Sequence, residues 1–238
     1  MLQFLKPTTF VKYADRLLLP VSLLCAGLFA SGLYYALFAS PEDYQQGETV
    51  RIMYIHVPSA WMSLAVYSII ATASLSYIIW RNPLSELIAR ASAPIGACFA
   101  LITLLTGSIW GKPIWGTWWE WDARLTSMLI LFFLYIGYIA LSNAYDTKER
   151  GAKAASILAL VGFINVPIIK FSVDWWNTLH QPASVIKMSG PAIDPSMMLP
   201  LSLMFFAMLT LYLIVATLEI KTMLLKQKIT RAKIRKRR

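Results

Sequence analysis

The chain has 238 residues, of which 58% are hydrophobic and 14% charged, with a formal net charge of +10. A soluble domain of this length cannot hide that much apolar side chain in one core, whereas a bilayer solvates it. The basic balance is concentrated in the tail from Lys221 to Arg238, where no aromatic residues are interleaved. That argues against a nucleic-acid interface and suits a cytoplasmic anchor facing anionic lipid.

Six apolar segments, at about 17–39, 57–80, 91–110, 125–145, 154–174 and 198–220, each approach the roughly twenty residues that span a bilayer. The expected fold is all-α, a single membrane domain over 1–238. The first segment has no small-residue cleavage site before the polar stretch 40–51, so it reads as a retained helix. Cys25 and Cys98 lie inside apolar runs, outside any C-x-x-C motif, and read as small core residues. The second segment follows His56, and Pro58 is placed in its first turn. The fifth is the weakest: Asn165 and Pro167 are expected to face other helices, and Lys170 to snorkel.

Orientation follows from Lys and Arg. With the N-terminus inside, seventeen of the 22 cations fall on the cytoplasmic side. These are Lys6, Lys12, Arg16, Arg81, Arg90, Lys148, Arg150, Lys153 and nine in the tail, which ends in Lys236, Arg237 and Arg238. Arg51, Lys112, Arg124, Lys170 and Lys187 fall outside. Both termini are then cytoplasmic. The outer segments are 40–56, 111–124 and 175–197, and the inner links 81–90 and 146–153 are short and charged. Longer, more varied loops on one side put the function there.

The middle outer segment holds a dense tryptophan run, and eight of the nine tryptophans sit at outer positions. An ordinary aromatic belt decorates both interfaces, so anchoring covers only part of this distribution. If 115–124 lay as a surface helix, Trp115, Trp118, Trp119 and Asp122 would share one face; Gly111, Pro113 and Gly116 oppose a regular helix at its start. Either way the segment makes an apolar surface suited to a large flat ligand. Both histidines, His56 and His180, are also outer. Two imidazoles from separate segments can clamp a metal from opposite faces, and a macrocycle supplying its own four nitrogens needs only that axial pair. Arg51, Lys112 and Arg124 are outer cations able to meet carboxylates, Arg with the better fork geometry. The plainer alternatives are solvated loop histidines, interfacial anchoring and an Asp122–Arg124 surface pair.

The string Trp115-Gly116-Thr117-Trp118-Trp119-Glu120-Trp121-Asp122-Ala123-Arg124-Leu125-Thr126 resembles the WWD signature of heme-handling membrane proteins. With six helices and a histidine in the first and last outer segments, the whole chain resembles the cytochrome c maturation C (CcmC) family. The related F and system II synthase families carry more helices and more histidines. The resemblance implies heme b held at the periplasmic face of a bacterial inner membrane, against Trp115, Gly116, Trp118, Trp119, Trp121 and Asp122. His56 and His180 would be the axial ligands, and Arg51 and Arg124 propionate contacts. It implies delivery to the periplasmic heme chaperone CcmE beside the ABC subunits CcmA and CcmB and the small membrane protein CcmD. No P-loop is present, so ATP hydrolysis belongs to a partner.

Competing readings remain. Translocation through the bundle requires polar groups at mid-membrane depth, for which Ser63, Ser68, Thr103, Thr106 and Asn165 are the candidates. An enzyme in its own right requires a nucleophile–base pair, and none is legible. A structural subunit anchored by its aromatics would carry no heme.

Overall fold

The computed structural model describes residues 7–176, 178–180, 185, 190 and 193–236. Lys6, Lys187, Arg237 and Arg238, counted above for the topology, lie outside the described residues. Among the described residues seven α-helices follow in order: α1 (Pro7–Tyr34), α2 (Met53–Trp80), α3 (Pro83–Trp115), α4 (Ala123–Asn143), α5 (Lys148–Gly162), α6 (Asn165–Trp175) and α7 (Pro195–Lys236). A π-helical turn (Tyr35–Ala39) ends α1, and a 3-10 turn (Glu48–Ile52) leads into α2. Six helical stretches are long and apolar enough to cross a membrane, α5 and α6 together forming one of them.

The helices outrun the apolar segments because hydropathy marks only the bilayer core, while caps set the ends. Asn82 accepts from the Leu84 N–H with Pro83 at the first helical position, and Thr147 caps α5 through the Arg150 N–H. Asp194 accepts from both the N–H and hydroxyl of Ser196 at the start of α7. Those bonds hold its carboxylate below the usual range. The short inner links of the sequence reading are therefore largely helical.

Two corrections bear on the site. His56 is not in a loop: α2 begins at Met53, so His56 lies in its first turns and Pro58 lies inside the helix. The fifth span breaks after Gly162 and restarts at Asn165. Asn165 is buried and donates from Nδ2 to the Ser127 carbonyl at 2.8 Å, as a polar group facing a neighbouring helix must. Pro167 is exposed instead; the break puts it in the first turn of α6, where a missing N–H costs nothing.

α2 packs along α3 most extensively, α4 joins α3 and α5, and α1 rests chiefly on α7. Hydrophobicity does not drive helices together in lipid, so small residues that permit close approach take its place. On α3, Ala89, Ala93, Gly96, Ala97 and Ala100 supply that surface. Cys25 is buried, but Cys98 points outward from α3 and is not a core residue.

Candidate functional site

One end of the bundle gathers the 3-10 turn, the N-termini of α2 and α4, the C-termini of α3 and α6 and residues 178–180. His56 comes from α2 and is 8% exposed. Its ring can sit against α3 only because residue 107 is glycine: a Cβ there would lie 2.9 Å from His56 Cε1. One position earlier, Thr106 Oγ1 lies 3.1 Å from His56 Nδ1. Trp110, one turn on, meets the imidazole edge to face with centres 5.6 Å apart, and its Nε1 donates to Gln46 Oε1 at 2.8 Å. A single face of α3 thus supports the first histidine.

His180 is held from the other side. Thr178 Oγ1 accepts the His180 N–H at 3.0 Å and itself donates to Asp122 Oδ2. Asp122 Oδ1 accepts from the Leu125 N–H at 2.7 Å, capping α4. The buried aspartate that closes the tryptophan string therefore starts α4 and ties down the segment bearing His180. Arg124 Nη1 lies 3.3 Å from His180 Nδ1, and Nη2 donates to the Lys170 carbonyl at 3.4 Å. Arg124 has no ion pair with Asp122 within contact distance among the described residues, so the surface-pair alternative does not hold.

These restraints bring the two imidazoles close together, with ring centres 6.4 Å apart and planes inclined by 32°. Two imidazoles sharing one metal at about 2 Å, with each ring nitrogen about 1.1 Å from its ring centre, have centres ~6.2 Å apart. The observed spacing leaves room for one ion shared by the two imidazoles. Among the described residues no group of three or more His, Cys, Asp and Glu converges on a metal position. The remaining ligands would have to arrive with the ion.

The tryptophan segment is not a surface helix. α3 runs through Gly111 and Pro113 to Trp115 and ends where Gly116 adopts φ 75°, a left-handed cap that glycine takes without strain. Residues 116–122 follow as an irregular strap, fastened to α3 by Ser108 Oγ donating to the Trp118 carbonyl at 2.7 Å. Its indoles do not form one flat shelf. Trp115 tilts against His180 with centres 6.1 Å apart, Trp119 and Trp121 meet edge to face, and Trp118 carries Lys112 above its ring. Trp118 and Trp121 are exposed at 56% and 73%, so the outermost apolar surface is theirs.

Trp119 Nε1 and Arg124 Nε are buried donors without a hydrogen-bond partner. A buried donor left unpaired costs about 1–3 kcal/mol, so both mark a place where an acceptor is missing. Arg51 is placed differently. It pairs with Glu48 and donates to the Ala36 carbonyl at 2.8 Å, pinning the end of α1 to the entry of α2.

A family model described as heme exporter protein C matches residues 1–235. The chain belongs to the heme exporter protein C (CcmC) family. It is 51% identical to the heme exporter protein C of Bradyrhizobium diazoefficiens over 94% of this chain and 84% of that one. It is 46% identical to that of Haemophilus influenzae over 94% and 91%. A ccmC-like mitochondrial protein of cytochrome c biosynthesis from Marchantia polymorpha is 48% identical over 84% and 85%. Within this CcmC-family chain, sequence reasoning found both histidines and Asp122 but not Gln46, Gly107 or Thr178. Thr106 was read only as a mid-membrane polar residue.

Proposed function

We propose that the chain binds heme b at the histidine end of the bundle, on the periplasmic side of a bacterial inner membrane. It passes the heme to the periplasmic chaperone CcmE during c-type cytochrome biogenesis. The observation that carries this reading is the 6.4 Å separation of the His56 and His180 rings. The orphaned donors of Arg124 and Trp119 fit the same ligand, since a tetrapyrrole with carboxylate side arms would bring hydrogen-bond acceptors of its own.

Heme, when bound, would bring an iron that already carries the porphyrin nitrogens. His56 and His180 would supply imidazoles to hold that iron. Arg124 offers a guanidinium beside His180 and is the favoured propionate contact. Arg51 would have to leave Glu48 to be a second. Trp110 and Trp115 hold the two imidazoles by ring contact, and Trp118 and Trp121 present the apolar rim that a chaperone would meet. The chain is proposed as a binding and transfer protein rather than an enzyme. It would work beside CcmA, CcmB and CcmD in an ABC-type complex with ATP hydrolysis in CcmA, anionic lipid facing the basic tail.

Translocation through the bundle is less well supported. The hydroxyls of Ser63, Ser68, Thr103 and Thr106 donate to carbonyls of their own helices, and Asn165 donates to Ser127 O. Polar groups spent in this way do not line a path.

Absorption spectra of the detergent-purified protein test the heme reading. Wild type is expected to show a Soret band and six-coordinate low-spin features, and His56→Ala and His180→Ala each to lose the low-spin signature. Unchanged spectra in both variants would remove the axial roles. Gly107→Ala is expected to act like a weaker His56 variant, because its methyl forces the imidazole away from α3. Heme recovered per protein should fall by about tenfold or more, the usual cost of disturbing a ligand's support.

A further inference from the structure

The two histidines differ in the partner that each Nδ1 meets. Thr106 Oγ1 donates to the Ile102 carbonyl at 2.6 Å, with the Thr103 carbonyl at 3.3 Å as a weaker second acceptor. Its one hydroxyl proton is therefore spent along its own helix. What the oxygen offers His56 Nδ1, 3.1 Å away, is a lone pair. The contact can be made only if His56 Nδ1 carries the proton, for which the Thr103 carbonyl, one turn back on α3, is a second acceptor. At His180 the logic reverses. A guanidinium donates and never accepts, so the contact between Arg124 Nη1 and His180 Nδ1 requires an unprotonated Nδ1.

We propose that Thr106 is a positioning residue that fixes His56 in the Nδ1–H tautomer and so presents Nε2 as a lone-pair donor toward the site. The extension of this role to iron rests on the heme reading above; the tautomer itself does not. His56 is then the ligand that is ready as folded. His180 becomes equivalent only once Arg124 turns away from it. A carrier built in this way has one anchoring ligand and one that it can surrender. The hydroxyl of Thr106 also strengthens His56 as a donor to a metal, as partners of the non-ligating nitrogen commonly do.

The chain has only two histidines, so nitrogen-15 NMR of the full-length, heme-free protein labelled on histidine reads two rings, assigned with His180→Gln. His56 is expected as Nδ1–H in wild type. In Thr106→Val, which keeps the shape and removes the acceptor, it is expected to shift toward Nε2–H, and Thr106→Ser should restore it. On the heme side, Thr106→Val is expected to weaken binding by about 10- to 100-fold and to raise the midpoint potential of the bound iron, with Thr106→Ser again restoring both. A wild-type His56 in the Nε2–H form, or a tautomer unmoved by Thr106→Val, overturns the role of Thr106 whether or not heme binds. A wild type that takes up no heme while the tautomer responds as expected overturns the heme reading and leaves Thr106 as the residue that sets His56.

Discussion

Asp122→Asn is expected to leave the fold intact and strip most of the bound heme. The carboxylate has two duties on two oxygens: Oδ1 caps α4 through the Leu125 N–H, and Oδ2 accepts from Thr178, which in turn receives the His180 N–H. Asparagine caps a helix about as well as aspartate, but the nitrogen that replaces Oδ2 can only donate to the Thr178 hydroxyl, which exchanges a charge-assisted bond for a weaker neutral one of reversed direction. Thr178→Val removes the same tie from the other side and keeps the cap. Both variants should purify with wild-type yield and helicity and lose heme by about 10- to 100-fold, the range for residues that hold a ligand in place. Asp122→Ala loses cap and tie together and should also lower stability by about 0.5–2 kcal/mol. The measurement is heme per protein alongside a detergent melt. Full heme in Asp122→Asn, with only Asp122→Ala impaired, would reduce this aspartate to a helix cap.

The aspartate also ties the tryptophan string to the segment bearing His180, although the two are far apart in sequence. The strap 116–122 hangs from α3 at Ser108 and reaches α4 at Asp122, and through Thr178 the same residue fixes where His180 stands. On this view the string contributes two different things. Trp115 and the buried edge of Trp119 shape the site, and Trp118 and Trp121 offer an exposed apolar rim on the surface from which heme would leave.

Much of this was readable from the residues alone, for reasons that differ by feature. Six spans show because a bilayer demands long apolar runs, and hydropathy reports that demand directly. Their ends do not show, because Asn82, Thr147 and Asp122 cap the helices from polar sequence that resembles loop. His56 looked like a loop residue for a different reason: α2 starts without a side-chain cap, continuing from the 3-10 turn Glu48–Ile52, and Pro58 lies inside it. The two histidines stood out because histidine is rare here and both fall in segments expected on the outer side, together with the tryptophan string. Their supports did not stand out. Thr106 and Gly107 are a lone hydroxyl and a lone glycine in an apolar run, and nothing in their periodicity says that α2 packs so close that His56 meets both. A surface helix at 115–124 failed because α3 continues through Pro113 and stops only where Gly116 takes a positive φ.

Gly96 is where packing rather than chemistry is most exposed to a single methyl. A Cβ on this α3 residue would lie 2.2 Å from Tyr135 Cε1 and 2.4 Å from its hydroxyl oxygen. Tyr135 has no exposed surface, and its hydroxyl donates to the Ser63 carbonyl at 2.6 Å. The ring therefore cannot yield without pulling α4 off α3 and abandoning a bond to α2, a loss that lipid cannot make good because it offers no partner. Gly96→Ala is expected to cost about 1–3 kcal/mol from overpacking, plus about 1 kcal/mol or more for the broken hydrogen bond. At about 2–4 °C for each kcal/mol in a chain of this size, the melting temperature in detergent should fall well outside experimental scatter, and accumulation in the membrane should fall with it. Gly96→Ala combined with Tyr135→Leu removes the ring that obstructs the methyl and should recover part of the loss. No recovery would mean that the destabilisation lies in the helix backbone around residue 96. A Gly96→Ala protein as stable as wild type would show that α3 and α4 have room to move apart, and the tight helix contact described for this pair would not hold.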